Sequence, residues 1–190
     1  MKTAIATVLA LLLLSGCAAP PTHRAAGRPD PRPSSTTAPL DVSLGPAARP
    51  TFVTTLLAQP GWSLADGTDL NAPTKTFHHS SGCFVVVDQS MASHYAPGGL
   101  DDTHASALVL ATLAGGDTVG VGGVTFGGGV EGLGAVVPTP DGPHAYLVVR
   151  SFAAAGIDMS VLLLCPGSDV TADMFGEYVL PYLEIDVDVP

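Results

Sequence analysis

The side chains able to do chemistry fall into a few small groups. His78, His79, His94, His104 and His144 are potential ligands or bases, with Asp101 and Asp102 beside His104 in the chain. A zinc site would call for ligands at recognisable spacings, and no HxH, HExxH or Cys/His pattern occurs. His78 and His79 would point to opposite faces of a strand, so they do not converge on one ion. Ser80 and Ser81 follow directly, but a nucleophile and its base must meet in space, which adjacency in sequence does not provide. Gly127-Gly128-Gly129-Val130-Glu131-Gly132 fits the form GxGxxG. No helix follows it, and Glu131 would repel a phosphate. No GxSxG, Ser-x-x-Lys or Walker loop is present. The expectation is therefore no catalytic residue, no metal and no cofactor. The bulk-free residues Gly127, Gly128 and Gly129 are the place where a loop could shape the mouth of a ligand pocket.

Cys17 is a different case. Met1 and Lys2 precede an apolar run of eleven residues, Ala4 to Leu14, broken only by Thr7. That is too short for a bilayer span, which takes about 20 apolar residues. A charged start, a short apolar run and then small residues are the marks of a secretory signal peptide. Leu14-Ser15-Gly16-Cys17 resembles the lipobox of bacterial lipoproteins. The resemblance implies that the Cys17 thiol is alkylated by a diacylglyceryl group and that a peptidase cuts before it. Residues 1–16 would then be removed, and Cys17 would hold the chain on the lipid bilayer, outside the cytoplasm. Two or more acyl chains anchor stably where one binds only marginally.

Residues 17–50 are rich in proline and show no apolar period, so they are expected to form a disordered, locally extended tether. At about 3.1 Å per residue its reach is on the order of 100 Å. Charge divides at the end of this segment. From Thr51 onward, fifteen carboxylates face only Lys75 and Arg150, a balance of −13 against −10 for the whole chain. Such a domain is a poor partner for nucleic acid or for anionic lipid. It favours solubility, or a cationic partner. Abundant Ala, Gly, Val and Asp, with few Lys, suggest a high-GC bacterial genome.

The elements that must position any site lie in residues 51–190, long enough for one domain with a core. Thr51–Ala58 and Trp62–Leu64 are strand-like pieces around Gln59-Pro60-Gly61. Lys75–His79 and Cys83–Asp88 read as a hairpin about Ser80-Ser81-Gly82. Asp101 or Asp102 caps a helix that runs to about Ala114 and stops at Gly115-Gly116, with Ala107, Leu110, Ala111 and Ala114 on its inner face. Thr118–Phe126, Gly132–Val137, His144–Phe152 and Ile157–Cys165 follow as four strands with short, antiparallel-favouring connections. Val170–Leu180 reads as a second helix, capped by Ser168 or Asp169, with Val170, Met174, Phe175 and Tyr178 inward. The tail alternates Leu183, Ile185, Val187 and Val189 against Glu184, Asp186 and Asp188, a half-buried strand. Those three acids lie nearly 7 Å apart along one face, wide for one calcium ion, and better suited to guarding an edge.

This order predicts an α+β fold, a mainly antiparallel sheet flanked by two helices. With Pro60-Gly61-Trp62 near its start, the domain is similar to the Mog1/PsbP-like lipoproteins of high-GC bacteria. That superfamily implies no shared catalytic residues, and the final alternating strand is not among its expected elements. With Cys17 assigned to lipid, Cys83 and Cys165 are left as a pair in exported sequence, where disulfides persist. Both fall in phase with inward residues of their strands. The functional expectation is a non-catalytic envelope module that binds a partner protein or small ligand. The alternative is a small extracytoplasmic hydrolase built from His and Asp residues such as Asp101, His104 and His144.

Overall fold

The structure, a computed structural model, describes residues 39–92, 99–139 and 142–189. Cys17, the signal peptide, most of the tether, His94 and the Pro140-Asp141 turn lie outside the described residues.

The fold is α+β. Its strands are β1 (Arg49–Thr54), β2 (Trp62–Leu64), β3 (Thr74–His79), β4 (Phe84–Met91), β5 (Val119–Thr125), β6 (Glu131–Thr139), β7 (Gly142–Phe152), β8 (Ile157–Leu164) and β9 (Leu183–Asp188). Its helices are α1 (Asp102–Leu113) and α2 (Ala172–Tyr178). A seven-stranded sheet runs in the order β2-β3-β4-β8-β7-β6-β5, and every neighbouring pair is antiparallel. β5 to β8 form the expected meander. β1 and β9 pair with each other as a second sheet, Arg49 opposite Asp188 through Thr54 opposite Leu183.

Strand alternation sorts the core into two layers. Val85, Val87, Tyr146, Val148, Met159, Val161 and Leu163 point to one face. There they meet Leu183, Ile185 and Val187 of β9 and Phe175 of α2, whose ring lies 5.2 Å from that of Tyr146. Ala135, Val137, Ala145, Leu147 and Val149 point to the other face, where α1 covers them with Ala105, Val109 and Leu110. β4 joins β8 with Phe84 opposite Leu164. One step further along, that register sets Cys83 opposite Cys165, and a disulfide joins them with a Cα–Cα distance of 4.1 Å.

The helix starts are set by local chemistry. The Asp101 side chain accepts from the His104 N–H at 2.8 Å, capping α1. Gly115 and Gly116, both with positive φ, end it. α2 is shorter than expected and is capped by Thr171, not by Ser168 or Asp169. Leu180–Tyr182 turns as a 3-10 helix with Pro181 near its start, and Tyr178 is exposed. Val189 is also exposed, beyond the end of β9.

The inner face of α1 differs from the expected one. Asp102, Ala105, Ser106, Val109 and Leu110 are buried, while Ala107 and Ala111 face outward. An apolar pattern rotates the helix wrongly because two of its buried residues are polar. Asp102 turns in toward Arg150, and Ser106 turns in toward Ser151.

The docked chain also starts before Thr51. Arg150 donates to the carbonyls of Pro39 (3.3 Å) and Val42 (3.1 Å), and Thr103 donates to that of Leu40 (2.8 Å). The N–H of Leu40 reaches Glu131, and Ser43 accepts from the N–H of Asp102. The last residues assigned to the tether are thus held on the domain by groups 59 to 111 positions away, a signal that local composition does not carry.

Candidate functional site

α1 lies over β6 and β7 and leaves β3, β4 and the near end of β8 uncovered on the same face. Strand register fills that space with polar residues in two rows. Thr74, Asp88 and Ser160 sit opposite one another across β3, β4 and β8. Ser90, Asp158 and Ser151 do so across β4, β8 and β7. All of these but Ser151, together with Val86 from the sheet and Val109 and Leu113 from α1, line a cavity of about 290 Å³. Thr74 donates its hydroxyl to one carboxylate oxygen of Asp88.

Asp158 is the unusual member. It is 2% exposed, and one oxygen accepts from the Ser151 hydroxyl at 2.6 Å. Its second oxygen, Oδ2, has no hydrogen-bond partner among the described residues. Burial raises the carboxyl's pKa, and the Ser151 bond offsets only part of that. A buried acceptor without a partner is costly, so native folds seldom keep one without a reason.

A line of hydrogen bonds fixes Asp158 from behind. The Ser151 N–H donates to Ser106 Oγ at 2.9 Å, and Ser106 Oγ donates to the Asp102 carbonyl at 2.6 Å. The Asp102 carboxylate receives Arg150 at 3.0 Å and the N–H of Ala153 at 2.9 Å, and both charged side chains are fully buried. Burial pushes the Asp102 carboxyl up, against the pull of the Ala153 N–H and Arg150. The guanidinium is likewise lowered by burial and raised again by Asp102. Arg150 also donates to the Glu131 carbonyl, and its plane lies 5.1 Å from the Phe152 ring centre.

A second cavity, of about 320 Å³, adjoins the first, with Val86, Leu113 and Ser160 as shared wall residues. Its other walls are mainly apolar, including Val137, Leu147, Leu162 and Leu164. The two form a groove along the C-terminal half of α1, polar at one end and apolar at the other. A separate cavity of about 230 Å³ lies on the opposite face, between the disulfide, Met174, Tyr178 and the tilted ring pair of Trp62 and His79.

The residues singled out by sequence go elsewhere. His104 pairs with Asp101 at 2.7 Å and His144 with Asp169 at 2.9 Å, all at the surface. N–H groups and rings of these histidines lower the pKa of Asp101 and Asp169. His144 is nine steps along the chain, about 30 Å at about 3.3 Å each, from Ala153, which follows β7 and bonds to Asp102 at the start of α1. The two pairs do not meet. His79 Nδ1 lies 2.8 Å from Ser81 Oγ and also accepts the Ser81 N–H, so the contact acts as a turn cap. Among the described residues no group of three or more His, Cys, Asp or Glu is placed to hold a metal.

Gly127–Gly129 form a joint between the two sheets. Gly127 exchanges backbone hydrogen bonds with Leu183 and Ile185, both at 3.2 Å. A Cβ on Gly128 would stand 2.8 Å from the Ile185 carbonyl oxygen. A cavity of about 170 Å³ adjoins Gly127, well apart in the fold from the α1 groove. The groove residues carried a sequence signal of their own. Asp88 and Ser90 continue the phase of Val86, and Asp158 and Ser160 that of Leu162, so two apolar strands each turn polar at one end of one face. That signal becomes a site only when β4 and β8 are known to be neighbours. The chain matches no protein-family model, and it matches no curated protein.

Proposed function

We propose that this chain is a lipid-anchored, extracytoplasmic binding module, non-catalytic, whose small-molecule site is the groove between α1 and strands β4 and β8. The observation that carries the reading is the buried Asp158 carboxylate, with one oxygen unsatisfied at the floor of a cavity that has an apolar wall. Small-ligand sites combine apolar lining with a few convergent polar groups in this way. The lipobox-like Leu14-Ser15-Gly16-Cys17 supports the anchored, exported setting, and so does the Cys83–Cys165 disulfide. No helix among the described residues is long and apolar enough to cross a membrane. The acyl group on Cys17 would then be what holds the domain at the surface.

Two experiments test the two halves of the proposal. Cys17→Ala should move the protein out of the detergent phase of a two-phase extraction and leave its precursor unprocessed; retention in that phase would remove the anchor. Crystals soaked with mixtures of small polar fragments should show density along Val86, Asp158 and Leu113. Density confined to the Trp62 cavity would reassign the site.

A further inference from the structure

We infer that the α1 groove takes a primary ammonium ion with a short apolar tail, its head on Asp158 and Asp88 and its tail past Leu113; this rests on the groove being the ligand site. The polar end of the cavity offers two carboxylates and the hydroxyls of Thr74, Ser90 and Ser160. Among the described residues no Lys, Arg, His or amide side chain lines it. A carboxylate only accepts, and a hydroxyl has a single proton to give, so the lining is rich in acceptors and poor in donors. An anion would meet Asp88 and Asp158 with no cation to offset them. A neutral alcohol has one proton to satisfy several acceptors. An ammonium group brings three donors and a positive charge.

The rest of the site narrows the choice. Among the described residues no aromatic ring lines either cavity, and a quaternary ammonium is recognised by ring faces. A calcium ion wants six to eight oxygen ligands, more than two carboxylates supply without help. Beyond Leu113 the groove is mainly apolar and carries no acid among the described residues, which fits one charged head and not two. The −13 balance from Thr51 onward draws cations toward the domain in general. The unpartnered Oδ2 of Asp158 tells this spot apart from the rest of that acidic surface.

Proton linkage follows. Binding an ammonium favours the ionised form of Asp158, whose pKa burial has raised. Affinity therefore grows as pH rises through that raised value. The residue opposite Asp158 on β4 is Ser90, and Asp88 lies two positions along the same face. Among the described residues the other side chains around it are uncharged: Ser151 on β7, Ser160 on β8, Thr74 on β3, Val109 and Leu113 on α1.

The test uses the lipidated full chain in phosphatidylcholine nanodiscs, read by hydrogen exchange and mass spectrometry. The probes are n-pentylammonium, 1-pentanol, pentanoate, calcium and 1,5-diaminopentane. Pentylammonium should protect peptides from β4, α1 and β8, with at least tenfold weaker binding in Asp158→Asn and several-fold weaker in Asp88→Asn. The Asn side chain keeps the acceptor for Ser151, and Asp88→Asn tests the same head group at a less buried place. Equal protection by pentanol, or preference for pentanoate or calcium, would overturn the ammonium inference and leave the groove as the site. Tenfold tighter binding of the diamine would overturn the single-headed tail. Protection by none of the probes would overturn both the inference and the groove reading.

Discussion

Replacing Arg150 by methionine tests what holds the start of the domain in place. The guanidinium is fully buried and bonds to Asp102 and to the carbonyls of Pro39, Val42 and Glu131. Methionine fills much of the same space without a charge. It leaves the Asp102 carboxylate buried with only the Ala153 and Leu44 N–H groups as donors. Removing one partner of a buried pair costs about 3–5 kcal/mol, because the other charge stays behind. Stability of a domain is about 5–15 kcal/mol, so the loss is a large share. At about 2–4 °C per kcal/mol for this size, the melting temperature should fall by about 6–20 °C. Urea unfolding of Arg150→Met, Asp102→Leu and the double variant forms the cycle. The double variant should recover a good part of the loss, since an apolar pair of similar volume often matches a buried ion pair. Hydrogen exchange should show the Leu40 and Leu44 amides opening while β8 stays protected. A loss under about 1 kcal/mol, or a double variant no better than Arg150→Met, would refute the account of the pair as the clamp on residues 39–44.

Other perturbations test other joints. Asp158→Asn should leave stability at neutral pH unchanged or raised while weakening ligand, because it removes a carboxyl whose folded pKa lies above the unfolded value. The stability from protonated Asp158 is fully present below the unfolded pKa and is lost as pH rises through the folded one; Asp158→Asn should flatten that part of a pH–stability curve, and a curve unchanged by the substitution would count against the burial of the acid. Gly128→Ala should cost about 1–3 kcal/mol, since φ is +83° and the new Cβ would press on the Ile185 carbonyl. Gly67→Ala is the control, with a similar φ of +78° and open space around it, so equal losses would show that contact with β9 does not matter. Reducing the Cys83–Cys165 bridge, which spans 82 positions, should cost about 4–5 kcal/mol on the chain-entropy model. Denaturation with and without reductant measures this, and coincident curves would show that the loop it closes is not what it constrains.

The fold was legible where its signals are local. Asp101 before the helix and Gly115-Gly116 after it mark α1 because cap and left-handed turn are short-range chemistry. Alternating Leu183, Ile185 and Val187 mark β9 by period alone. Features set by distant partners were not legible. Nothing near Phe84 says that its neighbour is Leu164, eighty positions on, and the polar cavity exists only through that pairing. Nothing in a proline-rich run says that Pro39 and Val42 will accept from Arg150. The histidines drew attention by type, yet the pairs they form with Asp101, three positions away, and with Asp169, 25 positions away, both lie at the surface.

The polar residues inside this largely apolar domain have a common logic. A buried ion pair stabilises little by itself, since desolvation of both charges offsets most of their attraction. Its value here is positional: Arg150 spends its donors on the entering chain and on Asp102, and Asp102 fixes the first turn of α1 against Ala153. Ser106, one turn further along the helix, then passes that alignment to Ser151, and Ser151 to one oxygen of Asp158. Each of these bonds satisfies a buried polar atom, while Arg150 Nε at the start of the line and Oδ2 of Asp158, a cavity residue, at its end have no partner among the described residues. A core built only for stability would have used apolar residues at Ser106, Ser151 and Asp158 together, at little cost and with no orphaned oxygen. Keeping the whole line makes sense if the rigid placement of that oxygen is the purpose, because a site on a packed strand, supported by a second set of bonded side chains, holds its geometry better than one on a loop.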